Sequence, residues 1–349
     1  MVAFLLSATL TVSCLSESTS APGVTVQLST ATTVESKPTP DGTITIAAVG
    51  DVMIARDVTT LMEQHGAIYP FELVAPLLQD ADLTIANLEN TLTERGEEAI
   101  KAYTFRAPPR FASGLVDAGI DAVSLGNNHA ADFGAVGLED TLVALDAVSL
   151  PYAGAGMTEA AARRAARLVV DGQRVALLSY TDVMENTFAG LDSFGVALAT
   201  VDAIDADVRA ARSQSDVVIV ALHSGIEYTD APQPNQQQLA RAAIDAGAAV
   251  VLGHHPHTLQ GVERYGDGLI IYSLGNFVFD LDNEDLTNLG PRAFETAVYY
   301  VTITDGVAVD ARPVPVYIDP DENRPRPATA EEGAAILTRI DGLNELANP

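Results

Sequence analysis

Five of the six histidines fall in three short motifs, each at the end of an apolar run. The motifs are G-N-N-H (126–129), A-L-H-S-G-I-E (221–227) and G-H-H-P-H (253–257); only His65 lies elsewhere. Asp51 in V-G-D-V and Glu89 in N-L-E-N occupy the same kind of place. Imidazole, carboxylate and amide oxygen are donors that divalent transition metals favour. Two such ions about 3.5–4 Å apart can activate a water and clamp a phosphoester for in-line attack. Asp51, Glu89, Asn128, His129, His223, His255 and His257 are enough for two incomplete shells with room for water. Each residue alone has a plainer reading. Asp51 could cap a helix. Glu89 could be a solvated strand end, and residues 126–128 could be only a turn. His223 could be a hydrogen-bonded structural histidine. Their joint placement after apolar runs favours a metal site.

Such a site needs elements that bring distant loops together. Residues 43–50, 82–88, 122–125, 174–180, 216–222, 248–252 and 269–272 read as strands. Helical patterns cover 70–79, 111–118, 136–145, 201–211 and 236–246, between those strands. Strands alternating with helices imply crossover units, and open α/β sheets bind ligands beyond the carboxyl ends of their strands. After Asn276 the pattern changes. Residues 294–303 and 307–318 alternate about the D-G of Asp305 and Gly306, a hairpin signal, and 330–346 reads as a closing helix. No internal repeat and no linker interrupts 43–349, which reads as one domain.

Composition narrows the function. The chain has 349 residues, 48% of them hydrophobic, and a formal charge of −28. A broad basic face for DNA or RNA is not available to such a chain, so no nucleic-acid partner is expected. Cys14 is the sole cysteine, which removes thiolate zinc sites and cysteine nucleophiles from the body. An apolar run over 2–12 is too short to span a bilayer. It precedes T-V-S-C (11–14) and a Ser/Thr/Pro-rich stretch over 15–42, which reads as a disordered tether. The arrangement resembles a bacterial lipoprotein signal, with Cys14 lipidated. No Lys or Arg precedes the run, and Thr11 stands where such signals usually carry Leu. The expectation is an export segment over 1–14 and an extracytoplasmic protein, held to the membrane through an N-terminal lipid anchor or secreted. A plain secretory signal, or a disordered tail with an incidental cysteine on a cytoplasmic protein, remain the alternatives.

G-D-V-M-I-A-R, N-L-E-N-T-L-T, S-L-G-N-N-H-A-A-D-F-G, H-S-G-I-E-Y, G-H-H-P-H-T-L-Q-G-V-E and Y-S-L-G-N-F-V-F-D follow in that order between residues 43 and 318. Together they resemble the CapA/PgsA family of poly-γ-glutamate capsule synthesis proteins. That family is similar in fold to the calcineurin-like metallophosphoesterases. The resemblance implies an α/β sheet sandwich flanked by helices, with the C-terminal β-hairpin and closing helix added. It implies two divalent ions, Mn, Fe or Zn, held by Asp51, Glu89, Asn128, His223, His255 and His257. His129 would polarise or protonate the scissile oxygen, with Asp132 orienting it. His254 is an extra imidazole. Met53 stands where the phosphoesterases place the histidine of D-x-H, and Ser224 replaces a common Trp. Arg56 and Arg106 could hold an anion, Glu227 and Tyr228 could line the substrate channel, and Asn276 could shape a turn at the site. The implied partners are an anionic polymer or phosphoester substrate and a capsule synthase or export complex in the membrane. A general metallophosphoesterase unrelated to capsule is one competitor. A non-catalytic polymer-handling accessory is another.

Overall fold

The computed structural model describes residues 32–34, 42–184 and 187–348. Two sheets lie face to face. The first has the order Arg324–Pro327, Val307–Asp319, Glu295–Thr304, Thr43–Val52, Leu83–Leu88, Ala122–Ser124, Tyr152–Ala153. Its strands from Thr43–Val52 to Tyr152–Ala153 run parallel. The hairpin Glu295–Thr304/Val307–Asp319 adds antiparallel to Thr43–Val52. The second sheet has a parallel centre of Gln173–Thr181, Val217–His223, Val250–His254 and Gly268–Ile271. Ala166–Val170 and Val262–Tyr265 flank it antiparallel.

Alternation along the strands makes the layers. Ile44, Ile46 and Ala48 pack with Val217, Ile219 and Ala221 in the core between the sheets. Ala47, Val49 and Ala86 face outward onto Val58, Met62, Leu115 and Leu138. Val218 and Val220 face the other way, onto Ile204 and Val208 of helix Val201–Arg212 and Leu239 and Ala243 of helix Pro234–Ala246. Leu83–Leu88 and Val217–His223 are buried along their whole length. Both faces are covered, so these strands are mostly apolar, broken only by Thr84 and Asn87 before the terminal His223. The expected helix-flanked sheet sandwich, C-terminal hairpin and closing helix Ala330–Ala347 are all present.

Close backbone approach sets the ends of the central strands. A Cβ on Gly50 would lie 2.0 Å from the Gly275 carbonyl oxygen, and one on Gly253 would lie 2.0 Å from that of Tyr272. Glycine is required at both places because any side chain would enter a neighbouring main chain. The Gly275 carbonyl also accepts the Asp51 N–H at 2.9 Å, which locks the first ligand strand to the S-L-G-N-F turn.

The structure departs from expectation in several places. Residues 70–79 do not form one helix. They split into a 3₁₀ turn, Tyr69–Phe71, and a single helical turn, Ala75–Leu78, because Pro70 and Pro76 each start a new turn and neither can donate a backbone hydrogen bond. Helix Arg56–His65 was not anticipated; its N-cap, Ala55, offers no capping side chain. Arg324–Pro327 extends the C-terminal hairpin to three strands. Within the expected tether, residues 32–34 form a strand parallel to Ala166–Val170. The expected export segment, Cys14 and the rest of the tether up to residue 41 lie outside the described residues. Among the described residues no helix is long and apolar enough to cross a membrane.

Candidate metal centre

The carboxyl ends of both sheets meet at one edge. From the first sheet come Asp51, near the end of Thr43–Val52, Glu89, just past Leu83–Leu88, and the 126–129 turn after Ala122–Ser124. From the second come His223, the last residue of its strand, and residues 254–257. Asp51, Glu89, His223 and His254 are essentially inaccessible to solvent, and Asn128, His129, His255 and His257 are buried.

Two ligand groups result. The carboxylate and imidazole atoms of Asp51, Glu89 and His223 lie within 4.8 Å of one another, as do those of Glu227, His255 and His257. Contacts join the groups. Asp51 Oδ2 lies 3.3 Å from His257 Nδ1, and Glu89 Oε1 lies 3.9 Å from His257 Nε2 and 3.6 Å from His223 Nε2. Asn128 Oδ1 sits 2.7 Å from His223 Nε2. His254 Nδ1 is 3.1 Å from Asp51 Oδ1.

The donor set fits divalent ions. Glu89 Oε1, His254 Nε2 and His255 Nδ1 are buried atoms with no hydrogen-bond partner. Buried polar atoms are normally satisfied. Three orphans on ligand-type residues in one edge are what cation coordination would explain.

Electrostatics agree. Burial would raise the Asp51 carboxyl, but hydrogen bonds from His254 and His257 outweigh it and hold the group well below its ordinary value. Glu89 is pushed well up, first by burial and then by the neighbouring Asp51 charge. His223 is lowered well below the imidazole range by burial and by His255, and His255 falls to about 3 through burial and His257. Burial also lowers His129, against the opposing pull of Asp132. His257 goes the other way: burial lowers it, yet the bond to Asp51 wins. Metal ligands must be deprotonated, so the depressed imidazoles are ready donors.

These directions set a pH dependence. A histidine whose folded value is depressed contributes stability above the unfolded value, and that stability is lost as pH falls toward the folded value. His129, His223 and His255 act in this sense, and the raised His257 and Glu89 partly oppose them. In chelator, the denaturant midpoint is expected to fall steadily as pH drops from about 6.5, the free imidazole value. A midpoint that is flat or rising over pH 6.5 to 4 would contradict this account. Divalent metal should flatten the dependence, because a coordinated nitrogen cannot take up a proton.

The other expected residues divide. Asp132 Oδ2 is 2.8 Å from His129 Nδ1, as an orienting carboxylate would be, and it also accepts the Phe105 N–H at 2.6 Å. Asn276 accepts at Oδ1 from His257 Nδ1 at 2.9 Å, and its amide donates to the His257 and Ala293 carbonyls. It holds the His257 ring and main chain in place. Tyr228 places its ring 6.1 Å from that of His257. Arg56 is tied to Asp280 at 2.9 Å, and Arg106 lies over the Phe133 ring at 4.6 Å, so neither anion holder joins the cluster. Glu227, expected along a substrate channel, stands with the ligands.

Sequence reasoning missed two residues. Asn87 donates to Asp51 at 2.9 Å and to Glu89 at 3.2 Å, and so holds two carboxylates side by side. Its Oδ1 accepts from Ser124 and Asn127. Lys101 Nζ lies 2.5 Å from Asp132 Oδ1 and donates to the Asn128 carbonyl at 2.5 Å. Beside it opens a cavity of about 390 Å³ lined by Ile100, Lys101, Asn128, Asp132 and Thr187. An asparagine inside an apolar strand was the available signal for Asn87. For Lys101 it was a lysine in an acidic chain that has only one other, Lys37.

Fold and donor set together define a calcineurin-like metallophosphoesterase-type α/β sandwich. A solved Staphylococcus aureus structure, titled as a candidate 5'-nucleotidase in complex with alpha-ketoglutarate, shares the fold at a TM-score of 0.50 and 14% identity, covering 86% of this chain and 58% of that one. The chain belongs to the bacterial capsule synthesis protein family PGA_cap, whose model matches residues 45–281. It is 32% identical over 296 residues to the capsule biosynthesis protein CapA of Bacillus anthracis, covering 82% of this chain and 70% of that protein. It is 36% identical over 244 residues to the PGA biosynthesis protein CapA of Bacillus subtilis, covering 69% and 64%.

Proposed function

We propose that this protein acts in the synthesis, export or anchoring of poly-γ-glutamate or a related anionic envelope polymer, through a dinuclear, phosphoesterase-like metal site. One observation carries the reading: in a chain of the capsule synthesis family, two ligand groups sit side by side, Asp51/Glu89/His223 and Glu227/His255/His257. Family and fold alone do not fix a substrate.

Asp51, Glu89, Asn128, His223, His255 and His257 would hold the ions. Bound there, Mn, Fe or Zn would supply Lewis-acid polarisation and a nucleophile at neutral pH. The chain's own groups do the rest. Asn87 keeps the two carboxylates together. Asp132 fixes the His129 ring and stabilises its imidazolium, so His129 can hand a proton to the leaving oxygen. The ordered 126–129 turn keeps that ring beside the ligands.

The partners in this reading are an anionic polymer or phosphoester and a membrane synthase or export complex. The location is extracytoplasmic, with Cys14 as lipid anchor. The test is metal content of the purified full chain together with hydrolysis of a generic phosphodiester in Mn²⁺. About two ions per chain with turnover is the expected result. Metal without turnover on any phosphoester would favour the accessory role. A folded chain that takes up no metal would end the proposal.

A further inference from the structure

By the resemblance to the metallophosphoesterases, the position two residues after Asp51 would carry a histidine, and here it is Met53. The structure turns that side chain away from metal chemistry. Met53 is fully buried and clusters with Phe105, Phe279, Leu281 and Phe294. Its sulfur accepts the Ala55 N–H at 3.2 Å. One shell is therefore short of a donor on the Asp51 strand.

The opposite sheet offers a replacement. Glu227 follows His223 by four residues, on the loop that leaves the second sheet. The Tyr228 N–H donates to the Pro256 carbonyl at 2.8 Å, which ties this loop to the G-H-H-P-H turn. Three non-glycine residues in the two tied segments, Tyr228, His255 and His257, have φ of 55°, 93° and 54°. Such conformations are sparsely populated and concentrate where surrounding structure imposes a functional geometry. The outcome is that a Glu227 carboxylate oxygen lies within 4.8 Å of ligand atoms on both His255 and His257. His255 Nδ1 is buried there without a partner.

We infer that Glu227 is a metal ligand that stands in for the donor missing at Met53 and completes the outer ion's shell with His255 and His257. This rests on the two-metal reading above. A carboxylate in place of an imidazole makes the outer shell harder, which favours Mn²⁺ over softer ions. Glu227 is exposed, whereas Asp51, Glu89 and His223 are buried, so the two ions would differ in access as well as in donors.

The experiment is a calorimetric titration of the metal-stripped full chain with Mn²⁺ alone, on wild type, Glu227→Gln, His255→Ala and the double variant. Wild type is expected to bind about two ions. Glu227→Gln should keep one site at wild-type affinity and weaken the other by at least about tenfold, as loss of a supporting group typically does. His255→Ala should weaken the same site, and the double variant should add little, because both residues serve one ion. Two sites of unchanged affinity in Glu227→Gln would overturn the inference and leave the two-metal reading standing. A wild-type chain that binds one ion or none would overturn that reading itself.

Discussion

Asp51→Asn is expected to drop bound metal from about two ions to less than one and to cut phosphoester turnover by at least about a hundredfold. Outer-shell partners alone typically cost 10–100-fold, and Asp51 belongs to the shell itself. Its two oxygens reach both ligand groups. Oδ1 meets the Asn87 amide at 2.9 Å and His254 Nδ1 at 3.1 Å, and Oδ2 lies 3.3 Å from His257 Nδ1. An amide has nearly the same shape but no charge, and its NH₂ would confront donors. Metal analysis after dialysis, with a melt in chelator to show an intact fold, checks the expectation. Full metal occupancy in the variant would remove Asp51 from the site.

His129→Gln is expected to behave in the opposite way, with metal retained and kcat lowered by about 10²–10⁴, the usual worth of a positioned acid or base. His129 lies outside both ligand groups, and Asp132 occupies its Nδ1, which leaves Nε2 as the nitrogen to meet a substrate. Asp132→Asn gives a second readout. The carboxylate raises the His129 value against burial, so its removal should lower that value. Activity that depends on protonated His129 would then be lost at lower pH, and the alkaline limb of the kcat profile should move down. An unmoved limb in Asp132→Asn, or unchanged kcat in His129→Gln, would show that the proton comes from elsewhere.

The sequence made the ligands more legible than their supports. Asp51, Glu89, His223 and the 253–257 turn announce themselves because strands covered on both faces are mostly apolar, so a polar group at the strand end stands out. The hairpin about Asp305 and Gly306 was equally plain, since its turn chemistry is local. Helix Arg56–His65 was hidden because no side chain caps it. Pro70 and Pro76 broke a segment whose apolar spacing still suits a helix. Asn87 and Lys101 escaped because their roles come from contacts across long sequence separations, which no periodicity encodes. Glu227 was read as a channel residue for the same reason. Its partners are set by the tie between Tyr228 and Pro256, a tertiary fact.

The seam between the two sheets carries one more consequence, for the order in which the molecule can be made. A chain emerging from the amino end first presents Asp51, Glu89, Asn128 and His129, all from one sheet. Neither ligand group is complete until His223 and then His257 have followed. Segments that fold during synthesis do so as they appear. A nascent first half thus holds acidic and amide donors but no finished cage. On the two-metal reading, metal capture would be a late event that registers both halves as present and correctly seated, and a chain cut before His257 would lack a complete ligand group.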